Sequence, residues 1–437
     1  MLRMVLLVAV PLLAVSCSMM HEDYEPMPDM LGDSYVSVTV SAGSREATTR
    51  GPQGGEDGDG REDATENEYK ISNLTLLFYR DAAGINSTAN PTIEHAIYFS
   101  SFNVTENGTG GYDNKTYSTF TKKLDDGIER AEYHVIAIAN AGDLTTSLKG
   151  QTLSYVRDYI IKEQWKTAAS INDYTDFVMT SEKDATIDMT TGEGSFENPF
   201  TAIIDIERLA ARIDFDITGV PYHSEDGGYY EYDVDGTDKY RLKSIKVKNM
   251  LTSGSYLIKR VATAVDGTGL SYLGAETAES NVSTNYVLDP WTCSKTSTDK
   301  PDGLSYSDSD IISVKGEVRE IDGEKFFTLA YAQENTLPNA ENKATYATAL
   351  EFTGEYISNG TSKGESKVTY YIRHCDPNDN AAETSPMKYG IVRNNIYRVK
   401  VSKVNKRDPA TPEGSALLDL NIKVKKWHVK THSEIVM

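Results

Sequence analysis

Site chemistry needs ionisable or nucleophilic side chains at fixed spacing, and this 437-residue chain offers few such groupings. Its seven histidines are scattered, and no Cys-x-x-Cys pair supplies metal-ligand spacing. His428 and His432 stand four apart, but in a strand they do not share a helical face. Asp376 and Asp379 in "DPNDN" read as a turn rather than a cation site. The acidic run "EDGDGRED" lacks the ligand offsets of a calcium loop and its distal Glu. No Gly-x-Ser-x-Gly elbow or Gly-rich phosphate loop occurs. Carboxylates are abundant, yet nothing singles out a pair for glycoside hydrolysis. The reading is a protein without catalytic residues, metal or cofactor.

One cysteine does suggest chemistry. The opening "MLRMVLLVAVPLLAVSCS" places an early Arg, a short apolar run and small residues before Cys17. The run is too short to span a bilayer and reads as a secretory signal. Its "LAVSC" ending resembles a bacterial lipobox, in which the cysteine is acylated, so residues 1–17 are a lipoprotein signal and Cys17 a membrane anchor. Cys293 and Cys375 are left, and the sequence does not decide between a disulfide and two thiols. The formal net charge of −21 argues against nucleic acid, whose phosphates need clustered Lys and Arg.

The elements that would carry a function are strands. A composition with 27 tyrosines and 32 glycines favours strands joined by turns. "SYVSVTVSA" alternates, with Val36, Val38 and Val40 on one face. Residues 43–68 follow, Gly-rich and charged, carrying Arg45, Arg50 and Arg61; so few apolar residues predict no order there and ready proteolysis. Many further strands are expected up to "YGIVRNNIYRVKVSKV", with one helix at "LSYVRDYIIKEQW" through Leu153, Val156, Ile160 and Ile161. The expected fold is mainly β, two β-sandwich domains of transthyretin-like kind with few short helices. The first spans 18–220, with strand 34–42 and loop 43–68; the second spans 221–405.

After the linker "NKRDPATPEGS", the segment 406–437 ends in another alternating strand, with Leu418, Leu420, Ile422 and Val424 on one face. Trp427 and Val429 are out of phase with these, and a bulge near Lys425–Lys426 would return them to the buried side. The first and last strands thus present the same pattern to a core.

These features together resemble the fimbrillin, or type V pilin, family of bacterial surface fimbriae. "GIVRNNIYRVKVSKV" and "LNIKVKKWHV" are similar to the family's final strands, "HVIAIANA" and "IERLAARIDFDI" to first-domain motifs, and "AQENT" to a second-domain motif. The resemblance implies a structural shaft subunit that reaches the cell surface as an outer-membrane lipoprotein. An arginine-specific surface protease would cut the loop after the first strand, at Arg50 or alternatively at Arg45 or Arg61. Read without the resemblance, these arginines are ordinary linker charges. The strand Val36–Val40 would leave, and the donor strand of another copy would fill the groove. Burying its aliphatic side chains and Trp427 is worth roughly 8–12 kcal/mol gross. Implied partners are further copies, accessory subunits, the protease, the outer membrane, and host or bacterial receptors. The alternatives are a monomeric surface lipoprotein binding a glycan or host protein, an accessory tip or anchor subunit, and, with least support, a surface hydrolase.

Overall fold

The computed structural model of the protein describes residues 33–41, 61–106, 115–124, 128–272, 286–296, 305–309, 312–313, 317–321, 323–337, 342–374, 388–406 and 417–428. Cys17, Arg45, Arg50, Cys375, Val429 and His432 lie outside them. The chain is mainly β, and its described α-helices are single turns such as Thr145–Leu148 and Leu153–Arg157.

The first core lies between two leaves. One leaf holds His95–Phe99, Leu74–Tyr79, Glu132–Ala139 and Met179–Ser181; the other holds Tyr35–Ser41, Lys115–Thr119 and Phe102–Glu106. Phe200–Arg208 joins them. Its first half pairs parallel with the first strand, from Val36↔Phe200 to Ser41↔Asp205, and its second half pairs antiparallel with Met179–Ser181. A strand that passes from one sheet to another in this way forms the corner of a sandwich. Leu74–Tyr79 is apolar on nearly every residue because both its faces are buried.

The second core lies between two six-stranded sheets. One runs Arg61–Asp63, Leu418–His428, Asn395–Val404, Ala211–Asp216, Glu324–Ala332, Arg319–Ile321. The other contains Tyr229–Asp233, Lys239–Lys248, Ala349–Ser358 and Thr361–Tyr371. Ile213, Phe215, Val399, Phe352, Leu418, Ile422 and Val424 meet between them. Ala211–Asp216 already belongs to this core, so the chain changes cores at Leu209–Ala210, upstream of the expected division at 220/221.

Three local expectations change. The helix at Leu153 stops at Arg157, and Ile160–Ile161 forms a short strand with Ser255–Tyr256, as β-branched pairs favour. Residues 61–68, inside the expected loop, are ordered in the strand Arg61–Asp63 and the turn of helix Glu66–Tyr69, which ends one residue beyond it. The terminal strand has no bulge at Lys425–Lys426: pairing runs unbroken from Asn395↔Lys426 to Val401↔Leu420, and the register shifts between Val401 and Lys403 on the neighbouring strand.

Candidate functional site

The first strand is enclosed. Phe200–Asp205 lies along one edge, and Tyr117–Ser118 and Lys122–Lys123 along the other. Val36, Val38 and Val40 are each 0% exposed, burial worth about 5–9 kcal/mol together. The backbone N–H of Val38 donates to Thr119 Oγ1 at 2.8 Å, and Ser37 Oγ donates to the Thr119 carbonyl at 3.1 Å. Tyr35 packs edge-on against Phe196, while its N–H donates to the carbonyl of Gly194. Gly194 sits at φ +62° with Phe200 where a Cβ would be, so this position requires glycine.

The terminal strand is held differently. It pairs along its length with Asn395–Val404, but on its other edge the described partner is Arg61–Asp63, met only at Lys426, Trp427 and His428. Leu418, Ile422 and Val424 are buried and Leu420 is half-buried, as the alternation predicts. The backbone of Trp427 lies opposite Glu62. Arg61 stands in the adjoining short strand, with its backbone in a ladder.

On the sheet of the terminal strand lies a buried charge cluster that polarity alone did not reveal. Glu62 and Glu68, from the segment expected to be unordered, are 3% and 0% exposed. Arg212 pairs with Glu62, with Glu68 at 3.1 Å and with Asp214 at 3.0 Å. Arg398 reaches Glu62 and Glu324 at 2.6 Å each and Asp214 at 3.0 Å, its guanidinium 3.6 Å from the centre of the Phe326 ring. Arg319 and the Tyr331 hydroxyl both donate to Glu68, at 2.8 and 2.7 Å. The terminal strand adds Lys423, 2.7 Å from Glu324, and Lys425, 2.8 Å from Glu324 and 3.4 Å from Glu62.

Burial opposes ionisation of Glu62, but Arg212, Arg398 and Lys425 outweigh it and hold its carboxyl below the ordinary range. Burial likewise opposes charge on Glu68, and Arg212 and Arg319 pull it well down. Glu324 is depressed by Lys423, Lys425 and Arg398 against its own burial. Nearby Arg208 is lowered by burial to about 10; its Nε donates to the Glu68 carbonyl at 2.7 Å. Among the described residues, no group of three or more His, Cys, Asp or Glu side chains is placed to hold a metal. Nor is any helix of these residues long and apolar enough to cross a membrane. Cys293 is exposed, and its thiol donates to the carbonyl of Val265.

Residues 362–433 match the family model described as "Major fimbrial subunit protein type IV, Fimbrillin, C-terminal". The match takes in both the terminal strand and the strand on which it rests. In this region the chain is similar to the fimbrillins. No curated protein matches the chain. Among solved structures it is similar to one titled as a cell adhesion protein from Parabacteroides distasonis, at 15% identity over 92% of this chain and 99% of that one, TM-score 0.44. It is also similar to the tip fimbrial protein Mfa3 from Porphyromonas gingivalis, at 13% identity over 90% and 100%, TM-score 0.41. A fimbrilin (fimA) from the same organism gives 16% identity over 92% and 100%, TM-score 0.40.

Buried pairings account for the motifs singled out in the sequence. Arg393 of "VRNN" is fully buried and pairs at 2.6 Å with Glu334 of "AQENT". Asn394 has φ 58° and accepts from Arg208 of "IERLAAR". Asn140, ending "HVIAIAN", has φ 63°; its amide donates to the carbonyls of Lys70 and Phe177 and accepts from the N–H of Ser72. These residues tie together segments where the chain turns between sheets. Positive φ favours Asn there, and burial demands that every polar group find a partner.

Proposed function

We propose that this chain is a fimbrillin, a non-enzymatic structural subunit of a surface fimbria that polymerises by protease-triggered exchange of strands. Cys17 carries lipid that holds the precursor at the outer membrane. An arginine-specific surface protease cuts after Arg50, the first strand leaves, and Leu418, Leu420, Ile422, Val424, Trp427 and Val429 of another copy enter its slot. The filament supports adhesion to host or bacterial receptors, with accessory subunits completing it.

The observation that carries this reading is the seating of the first strand. It is bonded on both edges with three valines fully buried, and it joins the body through the segment bearing Arg45 and Arg50. Losing it would bare two rows of backbone groups and an apolar slot, both costly in water. The terminal strand presents the same alternation, and a contact of this heterologous kind propagates rather than closing. Arg61 is less suited to cleavage than Arg50 or Arg45, because its backbone already lies in a ladder.

One observation favours a second reading, the monomeric surface lipoprotein that binds a glycan or host protein: the terminal strand is seated on its own domain. Digestion of the purified chain with an arginine-specific protease separates the two. The exchange reading expects a ladder of polymers with a new N-terminus at Gly51, abolished by truncation before Leu417. A cleaved chain that stays monomeric with its first strand bound would favour the second reading.

A further inference from the structure

A second buried ionic group lies away from both strands, on the "AQENT" motif. Lys295 is 0% exposed at the end of a short 3₁₀ turn, Cys293–Thr296. Its Nζ lies 2.8 Å from Asp289 Oδ2, 2.7 Å from Asn335 Oδ1 and 3.1 Å from the carbonyl of Thr336. Asp289 and Asn335 are themselves 3% and 1% exposed. Tyr306 closes one side, its ring centre 6.0 Å from Nζ.

The amide of Asn335 is fixed from every direction. Its backbone exchanges two hydrogen bonds with Ile391, at 2.9 and 2.8 Å. Its Nδ2 donates to the Tyr346 carbonyl at 2.7 Å and to Thr348 Oγ1 at 3.2 Å, which leaves the carbonyl end facing Lys295. Asp289 is equally fixed. Its Oδ2 accepts from the N–H of Thr336 at 2.7 Å, and its Oδ1 from the N–H of Trp291 at 2.8 Å.

An amine, a carboxamide and a carboxylate held together in a buried site are the components of an amide exchange. We propose that Lys295 and Asn335 condense into an intramolecular amide, with Asp289 carrying the proton. Asp289 takes a proton from the Lys295 ammonium, and the neutral Nζ attacks Cγ of Asn335. The new Nζ–Cγ bond forms as the Cγ–Nδ2 bond breaks. Nδ2 takes one proton from the attacking nitrogen and one from Asp289 and leaves as ammonium, so Asp289 ends ionised as it began. No oxidant or other reactant is needed.

Two features favour reaction over a plain ion pair. Burial pushes the Lys295 amine below the ordinary lysine value, against the pull of Asp289, which brings the nucleophilic form within reach. Holding the reactants in contact supplies the proximity that makes such steps fast, and their burial shields the product from hydrolysis. The amide would staple residues 286–296 to the segment that follows the strand Glu324–Ala332, the element that carries Tyr331 of the buried charge cluster.

The test is the mass of the folded full chain, with its N-terminus defined by sequencing. The expected result is a deficit of one ammonia, loss of tryptic cleavage after Lys295, and a branched peptide joining Lys295 to Asn335. Asp289→Asn and Asn335→Ala are each expected to restore the sequence mass. A cooperative melt checks that these variants fold. A folded wild-type chain with its full sequence mass and normal cleavage after Lys295 would overturn the proposal, whatever the variants do.

Discussion

The first and the terminal strand carry the same sequence pattern and are held by different means. Tyr35–Ser41 has a hydrogen-bonded neighbour on each edge and buries its valines completely. Leu418–His428 has one full-length neighbour, and its far end is secured by Lys423 and Lys425 against Glu324 and Glu62. Both bury apolar side chains; among the described residues the first adds a ladder along each edge, the terminal one a full-length ladder along one edge and ion pairs. Alternating hydrophobicity therefore identifies a strand and its buried face, but it does not tell how firmly the strand is held.

The contrast breaks most sharply at Val38. Val38→Asp places an unpaired charge in the closed slot and should cost roughly 4–5 kcal/mol in denaturant unfolding of the first core. The second core, judged by its own amide exchange, should be little affected. A smaller effect is expected at the clamp. Glu62→Gln leaves Arg212, Arg398 and Lys425 short of a counter-charge, at a cost of about 3 kcal/mol. Hydrogen exchange should then quicken in residues 418–428 while residues 35–41 keep their protection. Equal acceleration in both strands would erase the distinction.

Acid offers the gentlest test. Glu62, Glu68 and Glu324 all have carboxyls depressed from the ordinary 4.5. Their contribution is fully present above the unfolded value and is lost as pH falls below 4.5 through the folded values. Amides of the terminal strand should thus lose protection before those of the first strand during acidification. The opposite order would mean that charge is not what secures the terminal strand.

Much of this architecture was legible in the sequence because its strands alternate or, like Leu74–Tyr79, are continuously apolar. The buried faces of Val36–Val40 and of Leu418–Val424 lie where period two puts them. Glu62 and Glu68 were not legible. In a segment of Asp, Glu and Gly, composition predicts solvation, and only the placement of Arg212, Arg319 and Arg398 from distant strands turns these carboxylates inward. Ile160 and Ile161 satisfied helical spacing, yet their partner Ser255–Tyr256 is remote in sequence and decided for a strand. The motifs "AQENT" and "VRNN" were visible as patterns, but their common cause, the Glu334–Arg393 pair, needed three dimensions.

The closed slot around the first strand also has a mechanical meaning. Ladder bonds run across a strand, so an occupant bonded on both edges cannot be peeled away from one side. Pulled along its axis, it must strain every bond in both ladders at once, which is shear loading. The terminal strand on its own domain, which among the described residues has one full-length neighbour, can instead unzip bond by bond. Whichever strand fills the slot between Phe200–Asp205 and Tyr117–Ser118 would therefore withstand a far greater tensile force than the same strand lying at the edge.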